Sequence, residues 1–325
     1  MVVTGGAGFI GANLCRELAT RPGVERVVAM DNLSTGSAEN LAGLDVELVE
    51  ASILDRDALD EVVEGAAAVV HLAARPSVPR SVADPVASHE ANATGTLRVL
   101  EACRRHDARI VAASSSSVYG SVTHLPKHEE LATWPRSPYA ASKLATEAYV
   151  LAYGATYQMS TLAFRFFNVY GPLQAAGHAY AAVVPTFIDA ALRGAPLPVH
   201  GDGRQTRDFT FVGSVVGVLA EAAVRGVRSA EPVNLAFGSR TSLLDLVAHL
   251  EELLGMAVRV ERQPPRTGDV RDSQAADDRL RRLFPDLTPV PLTVGLARTV
   301  DWFRGLPQYA DRVATTPARE PVGTP

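Results

Sequence analysis

The sequence predicts an α/β protein: a Rossmann-like, doubly wound parallel sheet with a smaller C-terminal α/β cap. In the first half, strands that are apolar throughout alternate with amphipathic helices, which is typical of a parallel sheet covered on both faces. A glycine-rich turn joins the first strand to the first helix. After about residue 168, segments rich in Gly, Pro and polar residues appear, and these are typical of ligand-shaping loops.

The order of apolar and helical segments defines the expected elements. Strands are predicted at 1–5, 25–31, 45–51, 66–74, 108–120 and 160–171, and helices between them at 11–19, 56–65, 88–106 and 137–157. Helical periodicity resumes at 213–225, 241–254 and 292–304. We expect residues 1–168, with parts of 209–236, to form a dinucleotide-binding domain. Residues 169–310 would form a discontinuous substrate-binding cap, and 311–325 a disordered tail.

Composition excludes several classes of partner. The 325 residues carry a formal net charge of −5, which gives no electrostatic reason to expect nucleic acid as the main partner. No apolar run reaches the length of a membrane span and no leader-like segment opens the sequence, so we expect a cytoplasmic protein with no membrane partner. Cys15 and Cys103 lie in predicted helices. They are interpreted as small apolar packing residues, and we expect neither a disulfide nor a metal site.

The turn "VTGGAGFIGANL" predicts a dinucleotide site. Gly5, Gly8 and Gly11 follow the first strand, where glycine lets main-chain N–H groups approach a pyrophosphate at a helix N-terminus. Asp31 lies 20 residues after Gly11, at the end of the next predicted strand. A carboxylate there can bind ribose hydroxyls and would repel a 2′-phosphate, which favours NAD over NADP.

The segment "SPYAASKLATE" predicts acid–base chemistry. Tyr139 and Lys143 are four residues apart on a predicted helix, so they share a face. A nearby ammonium favours the phenolate, and such a tyrosine can remove a proton from a sugar alcohol. The chain has only two lysines among 31 basic residues. The serine-rich segment "AASSSSVYG" ends a strand at the edge of the sheet where ligands bind.

Taken together, these segments resemble the extended short-chain dehydrogenase/reductase family, and within it the nucleotide-sugar 4-epimerases. The similarity runs from "TGGAGFIG" through "DNLSTG", "HLAA", "SSSSVYG", "YAASK" and "RFFNVYGP" to "GDGRQTRDF" and "RTGDV". It implies catalytic roles for Ser115, Tyr139 and Lys143, with NAD as the cofactor. It places the following residues at NAD: Gly5, Gly8, Phe9, Ile10, Gly11, Asp31, Asn32, Ser34, Thr35, Gly36, Leu72, Ala73, Ala74, Asn92, Ser114, Tyr139, Lys143 and Phe166. It places these at the nucleotide sugar: Ser77, Ser115, Ser116, Tyr139, Asn168, Ala182, Val183, Arg207, Arg266, Asp269 and Ser273.

The resemblance implies an isomerase of carbohydrate metabolism that inverts C4 of a UDP-sugar through a transient 4-keto intermediate. Similar dehydratases carry an Asp-Glu pair where this chain has Ser116 and Ser117, and decarboxylating relatives place a glutamate at the second position. A dehydratase or decarboxylase of the same family therefore stays as the alternative. A regulator that senses NAD without chemistry is the alternative outside enzymes.

The substrate is expected to be UDP-GlcNAc/GalNAc or UDP-glucose/galactose, with UDP-glucuronate as a further choice. Ser273 falls where the family controls room beside the C2 substituent, and serine leaves space for an acetamido group. The resemblance also implies a homodimer. In it, the helices around 89–106 and 138–155 would pair with their copies in a four-helix bundle.

Overall fold

A computed structural model describes residues 1–177, 181–264 and 270–309; the tail at 311–325 lies outside the described residues. Its strands are β1 Val2–Thr4, β2 Val28–Asp31, β3 Glu47–Glu50, β4 Ala68–His71, β5 Arg109–Ser115, β6 Thr161–Phe166, β7 Asn168–Tyr170, β8 Leu197–His200, β9 Thr206–Arg207, β10 Phe209–Phe211, β11 Val233–Leu235, β12 Thr241–Ser242 and β13 Val260–Gln263. Its helices are α1 Phe9–Ala19, α2 Arg56–Val63, α3 Val78–Ala83, α4 Pro85–His89, α5 Gly95–Arg105, α6 Pro138–Tyr157, α7 Val183–Leu192, α8 Val212–Arg225, α9 Leu243–Leu254, α10 Asp278–Leu283 and α11 Leu292–Arg304.

Seven strands form one sheet in the order β11-β6-β5-β4-β1-β2-β3, and every neighbouring pair is parallel. The Rossmann-like fold is therefore confirmed. The central strands β1, β2 and β4 are buried along their whole length, because helices cover both faces. The order reverses between β1 and β4, so the carboxyl ends of these two strands border the crevice where such sheets bind ligands.

Three predicted elements differ from the structure. The helix predicted at 88–106 is divided into the end of α4, a π-helical turn at Glu90–Thr94 and α5. The strand predicted at 108–120 ends at Ser115 and continues as a 3-10 turn over Ser116–Tyr119. The strand predicted at 160–171 is divided, because β7 leaves the sheet and pairs with β10 instead. The chain does return to the main sheet later, since β11 pairs with β6 and α8 packs against α1.

Beyond the main sheet, short ladders join distant parts of the chain. β13 pairs with β8, β12 with β9, and β10 with β7. Side chains of β7, β8, β9 and β10 line a cavity beside the main sheet. Within the described ranges, no helix combines the length and apolar character of a membrane span. The thiols of Cys15 and Cys103 are buried and free, and burial raises the pKa of each to about 12.

Candidate active site

The larger cavity of the described structure, about 920 Å³, lies at the carboxyl ends of the parallel strands. It passes the turns after β1, β2 and β4 and reaches the first part of α6. Sixteen residues predicted at NAD line it: Gly5, Gly8, Phe9, Ile10, Gly11, Asp31, Asn32, Ser34, Thr35, Leu72, Ala73, Ala74, Ser114, Tyr139, Lys143 and Phe166. Ser115, predicted at both catalysis and substrate, also lines it.

The glycine turn is a close-packed cradle of main chain. Gly5 has φ +71°, and a Cβ there would lie 2.7 Å from the Ala73 nitrogen. A Cβ on Gly11 would lie 2.0 Å from the Gly5 carbonyl oxygen. Side chains at these positions would therefore push α1 away from the turn. The first turn of α1 instead presents main-chain N–H groups to the cavity, which suits an anion.

Asp31 closes the cradle from β2. Its Oδ2 accepts a hydrogen bond from the Ala7 N–H at 3.0 Å, and Oδ1 accepts one from the Leu33 N–H at 2.9 Å. These bonds hold the carboxylate against the glycine turn and at the cavity wall. The negative charge beside this end of the cavity would repel a 2′-phosphate.

The predicted catalytic residues meet where β5 ends against α6. Ser115, Tyr139 and Lys143 all line the cavity here, and the Lys143 Nζ donates to the Ala113 carbonyl at 2.8 Å. Burial of the hydroxyl raises the pKa of Tyr139, while the neighbouring Ser115 hydroxyl acts in the opposite direction. Burial lowers the pKa of Lys143 to about 8. In the chain alone, burial sets the direction of the Tyr139 shift and the Lys143 Nζ bonds to the strand, so the effect of Lys143 on the phenolate stays a prediction.

A smaller cavity of about 310 Å³ lies beyond β7. Predicted substrate residues in its wall are Ser77, Asn168, Ala182, Val183 and Arg207. Ser77 has φ +97°, which a residue with a side chain rarely adopts, so this turn stores strain beside the cavity.

Four of the described residues predicted to bind ligand, Gly36, Asn92, Ser116 and Ser273, line neither cavity. Gly36 packs on the glycine turn, where a Cβ would lie 2.8 Å from Ala7. Ser116 begins the 3-10 turn, and the Ser273 N–H donates to the Thr206 carbonyl at 3.1 Å. Arg266 and Asp269 lie outside the described residues.

Asn92 acts behind the cavity wall. It lies in a π-helical turn, Glu90–Thr94. Its side chain accepts from the Arg75 N–H at 2.7 Å and donates to the Arg75 carbonyl at 3.2 Å and the Ser142 hydroxyl at 2.9 Å. Asn92 therefore holds the lining segment after β4 against α6.

Sequence reasoning did not select several lining residues. In the larger cavity these include Arg75, Arg80, Glu90, Phe167 and Gln174. In the smaller one they include Tyr170, Phe187, Pro198, His200, Gln205 and Phe209. The β8–β13 ladder brings the segment around His200 beside Gln263, so no short motif marks it. The "GDGRQTRDF" segment was a signal for Gln205, because it contains both Gln205 and Arg207.

Residues 1–236 match the model of the NAD dependent epimerase/dehydratase family. The chain belongs to this family. It is 38% identical over 315 residues to a UDP-glucose 4-epimerase of Mycolicibacterium smegmatis, with 94% of this chain and 99% of that protein covered. It is 31% identical over 315 residues to a dTDP-glucose 4,6-dehydratase of Streptomyces niveus, with 94% and 92% covered. The family therefore includes more than one chemistry at this level of similarity.

Two solved structures share the fold closely. A UDP-N-acetylglucosamine 4-epimerase from Methanobrevibacter ruminantium, in complex with UDP-N-acetylmuramic acid, superposes with a TM-score of 0.87 at 33% identity, covering 93% of this chain and 97% of that one. A Thermus thermophilus UDP-glucose 4-epimerase in complex with NAD superposes with a TM-score of 0.83 at 35% identity, covering 94% and 98%.

The cofactor of this family member is NAD, and the residues present fit it. The glycine cradle admits no side chain at Gly5 or Gly11, which leaves main-chain N–H groups for a pyrophosphate. Asp31 provides the carboxylate for ribose hydroxyls. Tyr139 and Lys143 line the same cavity.

Proposed function

We propose that the protein is a UDP-sugar 4-epimerase that inverts C4 through a 4-keto intermediate. The observation that carries the proposal is that Ser115, Tyr139 and buried Lys143 line the same cavity as the dinucleotide cradle. NAD, when bound, accepts a hydride from C4 and later returns it to the opposite face.

The chain supplies the proton transfer. Tyr139 exchanges a proton with the C4 oxygen, and Ser115 holds that oxygen and passes the proton through its own hydroxyl. Lys143 provides a positive charge one turn along α6, which favours the phenolate at the moment of transfer. After the hydride has returned to the opposite face of C4, the Tyr139 phenol gives the proton back to the C4 oxygen.

The smaller cavity supports binding of the nucleotide part. Arg207 lines it, and a guanidinium suits diphosphate oxygens. Arg266 and Asp269 remain proposed partners outside the described residues. UDP-GlcNAc/GalNAc and UDP-glucose/galactose are the proposed substrate pairs. Ser273 lines neither cavity, so its small size does not favour the first pair over the second.

The dehydratase alternative has less support. Dehydratases need an acid and a base to remove water, and the positions after Ser115 are serines that lie in the 3-10 turn. The Ser117 hydroxyl oxygen is buried and has no hydrogen-bond partner among the described residues. Neither serine can serve as a carboxylate acid or base.

Product analysis tests the function. Incubation with each UDP-sugar, followed by NMR, should show the C4 epimer with no loss of mass. Release of water or CO2 would contradict epimerisation. Tyr139→Phe should lower kcat by about 10²- to 10⁴-fold and leave NAD bound, whereas Tyr149→Phe, at a 40% exposed position on the same helix, should keep its activity. A Tyr139→Phe variant with parental turnover would contradict the mechanism.

We also propose a homodimer formed through α5 and α6, working in the cytoplasm. Val82, Val86 and Tyr149 are exposed apolar or aromatic side chains on or beside this face, and burial in an interface would remove them from water. Light scattering of the purified protein should give the mass of two chains. A monomeric mass would contradict the dimer and leave the chemistry unaffected.

A further inference from the structure

A buried ion pair lies one helical turn beyond Lys143. Glu147 on α6 and Arg165 on β6 each have side chains only 4% exposed. The Arg165 Nε and Nη2 donate to the two carboxylate oxygens at 2.9 and 2.6 Å, which is the strong bidentate arrangement. The Ser114 hydroxyl donates to the same carboxylate at 2.8 Å. Both carboxylate oxygens of Glu147 therefore accept hydrogen bonds from residues of the sheet.

This arrangement leaves Lys143 with its charge uncompensated. Tyr139, Lys143 and Glu147 follow one another at spacings of four on α6, so they share a face. The Lys143 Nζ donates to the Ala113 carbonyl at 2.8 Å. None of the ion pairs among the described residues includes Lys143. A free carboxylate at Glu147 would be the natural partner for this ammonium.

Arg165 is held in place from three sides. It is directly paired with Ser114 in the β5–β6 ladder. Its Nη1 donates to the Glu129 carbonyl at 3.3 Å, and its guanidinium carbon lies 4.7 Å from the centre of the Tyr119 ring. These contacts aim the guanidinium at Glu147. Stability alone does not explain the pair, because a buried ion pair can often be replaced by apolar side chains without loss.

We propose that Arg165 is a positioning residue that withholds the Glu147 carboxylate from Lys143. The charge of Lys143 thereby stays available to the Tyr139 phenolate. The inference rests on the proposed roles of Tyr139 and Lys143. It adds one requirement: the carboxylate of Glu147, one helical turn after Lys143 on α6, must be neutralised by Arg165.

Other titratable groups around the Tyr139–Lys143 pair stay the same in every variant below. On β4, His71 bonds to two threonine hydroxyls, and burial with the nearby Lys143 charge lowers its pKa to about 3. The remaining groups on the packed elements are Arg75, paired with Asp84; Arg80 on α3; His89 on α4; Glu90 in the π-helical turn; Glu101 on α5, bonded to Tyr153; and Tyr119 in the 3-10 turn.

The test measures the ionisation of Tyr139 directly in the full-length, NAD-loaded protein. The ultraviolet phenolate signal is titrated in each background with and without Tyr139→Phe, and the difference belongs to Tyr139. In Arg165→Met, Glu147 should turn to Lys143, and the Tyr139 titration should move up by about one pH unit or more. The acid limb of kcat should move with it.

The double variant Glu147→Gln/Arg165→Met separates charge from structure. With no carboxylate to pair with Lys143, the Tyr139 titration should return to the parental pH. If the pair were only a structural tie, the double variant would shift at least as far as Arg165→Met, which would overturn the proposal. Arg279→Met is the matched control, because this guanidinium is 12% exposed and pairs with Glu231 away from the site. It should cause no shift.

Glu147→Gln keeps the test decisive even if Arg165→Met does not fold. In this variant the Tyr139 titration should lie at or below the parental pH, because no carboxylate remains at position 147 to pair with Lys143. An upward shift would overturn the proposal. The titration needs no turnover, so a parental protein that failed to epimerise any UDP-sugar would contradict the proposed function without deciding this inference.

Discussion

Two cavities of the described structure are built in different ways. The larger one lies at the ends of parallel strands, and part of its wall is main chain around Gly5 and Gly11. The smaller one is bounded by side chains such as His200 and Arg207, from segments joined by short ladders. A main-chain site depends on the close approach of backbones, whereas a side-chain site can change its ligand by substitution. The larger cavity therefore fits NAD, the cofactor of the family, and the smaller cavity is where we propose that the nucleotide part of the substrate binds.

The largest effect is expected from Gly11→Ala, in the main-chain wall of the larger cavity. The added Cβ would lie 2.0 Å from the Gly5 carbonyl oxygen, so the turn and α1 must separate and NAD binding should be lost. The absorbance of bound NAD after purification and a circular dichroism spectrum measure this result. Gly217→Ala in α8 is the control, because nothing lies within 4 Å of its added Cβ. Full NAD content in Gly11→Ala would contradict the claim that NAD binding depends on the close approach of main chain at Gly11.

Arg207→Gln should weaken ligand binding at the smaller cavity and leave the larger cavity unchanged. Loss of a charged hydrogen bond to a phosphate costs about 1.5–3 kcal/mol, so UDP affinity should fall roughly 10- to 100-fold. NAD binding should stay at the parental level. Calorimetric titration with UDP measures the loss, and Arg204→Gln, at an exposed position outside the cavity, is the control. A matching loss of NAD would show that the two cavities are not independent.

Lys143→Met should have a smaller effect, seen in stability. In the protein freed of NAD, burial lowers the pKa of Lys143 from 10.5 to about 8, so holding the ammonium charged below pH 8 costs up to about 3 kcal/mol of folding free energy. The variant should therefore unfold at higher denaturant at pH 7, and this advantage should fade between pH 8 and 10.5 as the folded lysine loses its proton first. Lys127→Met should act in the same direction, because burial also lowers the pKa of Lys127. A variant less stable than its parent at pH 7 would contradict the claim that the buried Lys143 charge costs folding free energy.

The same contrast explains what the sequence could predict. Gly5, Gly8 and Asp31 could be placed at the cavity wall from sequence because one strand, one turn and the next strand bring them together locally. Asn92 and Gly36 line neither cavity, so their binding to NAD stays a prediction, and spacing along a chain cannot tell a residue in the wall from one behind it. The spacing of Tyr139 and Lys143 correctly predicted a shared face. It could not show that the Lys143 Nζ bonds to Ala113, which lies on another element.

The smaller cavity was predicted less completely for a physical reason. His200 and Pro198 reach its wall because β8 pairs with β13, about sixty residues later. Phe187 reaches it from α7. No local pattern records such pairings. Ser273 was selected for its small side chain, yet its main chain joins Thr206, and a side chain's size says nothing about the direction in which it points.

The fate of the C4 hydrogen tests the central claim most directly. The protein is allowed to equilibrate a UDP-sugar in D2O, and NMR follows the C4 position of the inverted product. If Tyr139 exchanges only the hydroxyl proton and the carbon-bound hydrogen never reaches solvent, the product keeps ¹H at C4. Deuterium at C4 would contradict the account, because it would show that the carbon was deprotonated by the protein instead of giving up a hydride.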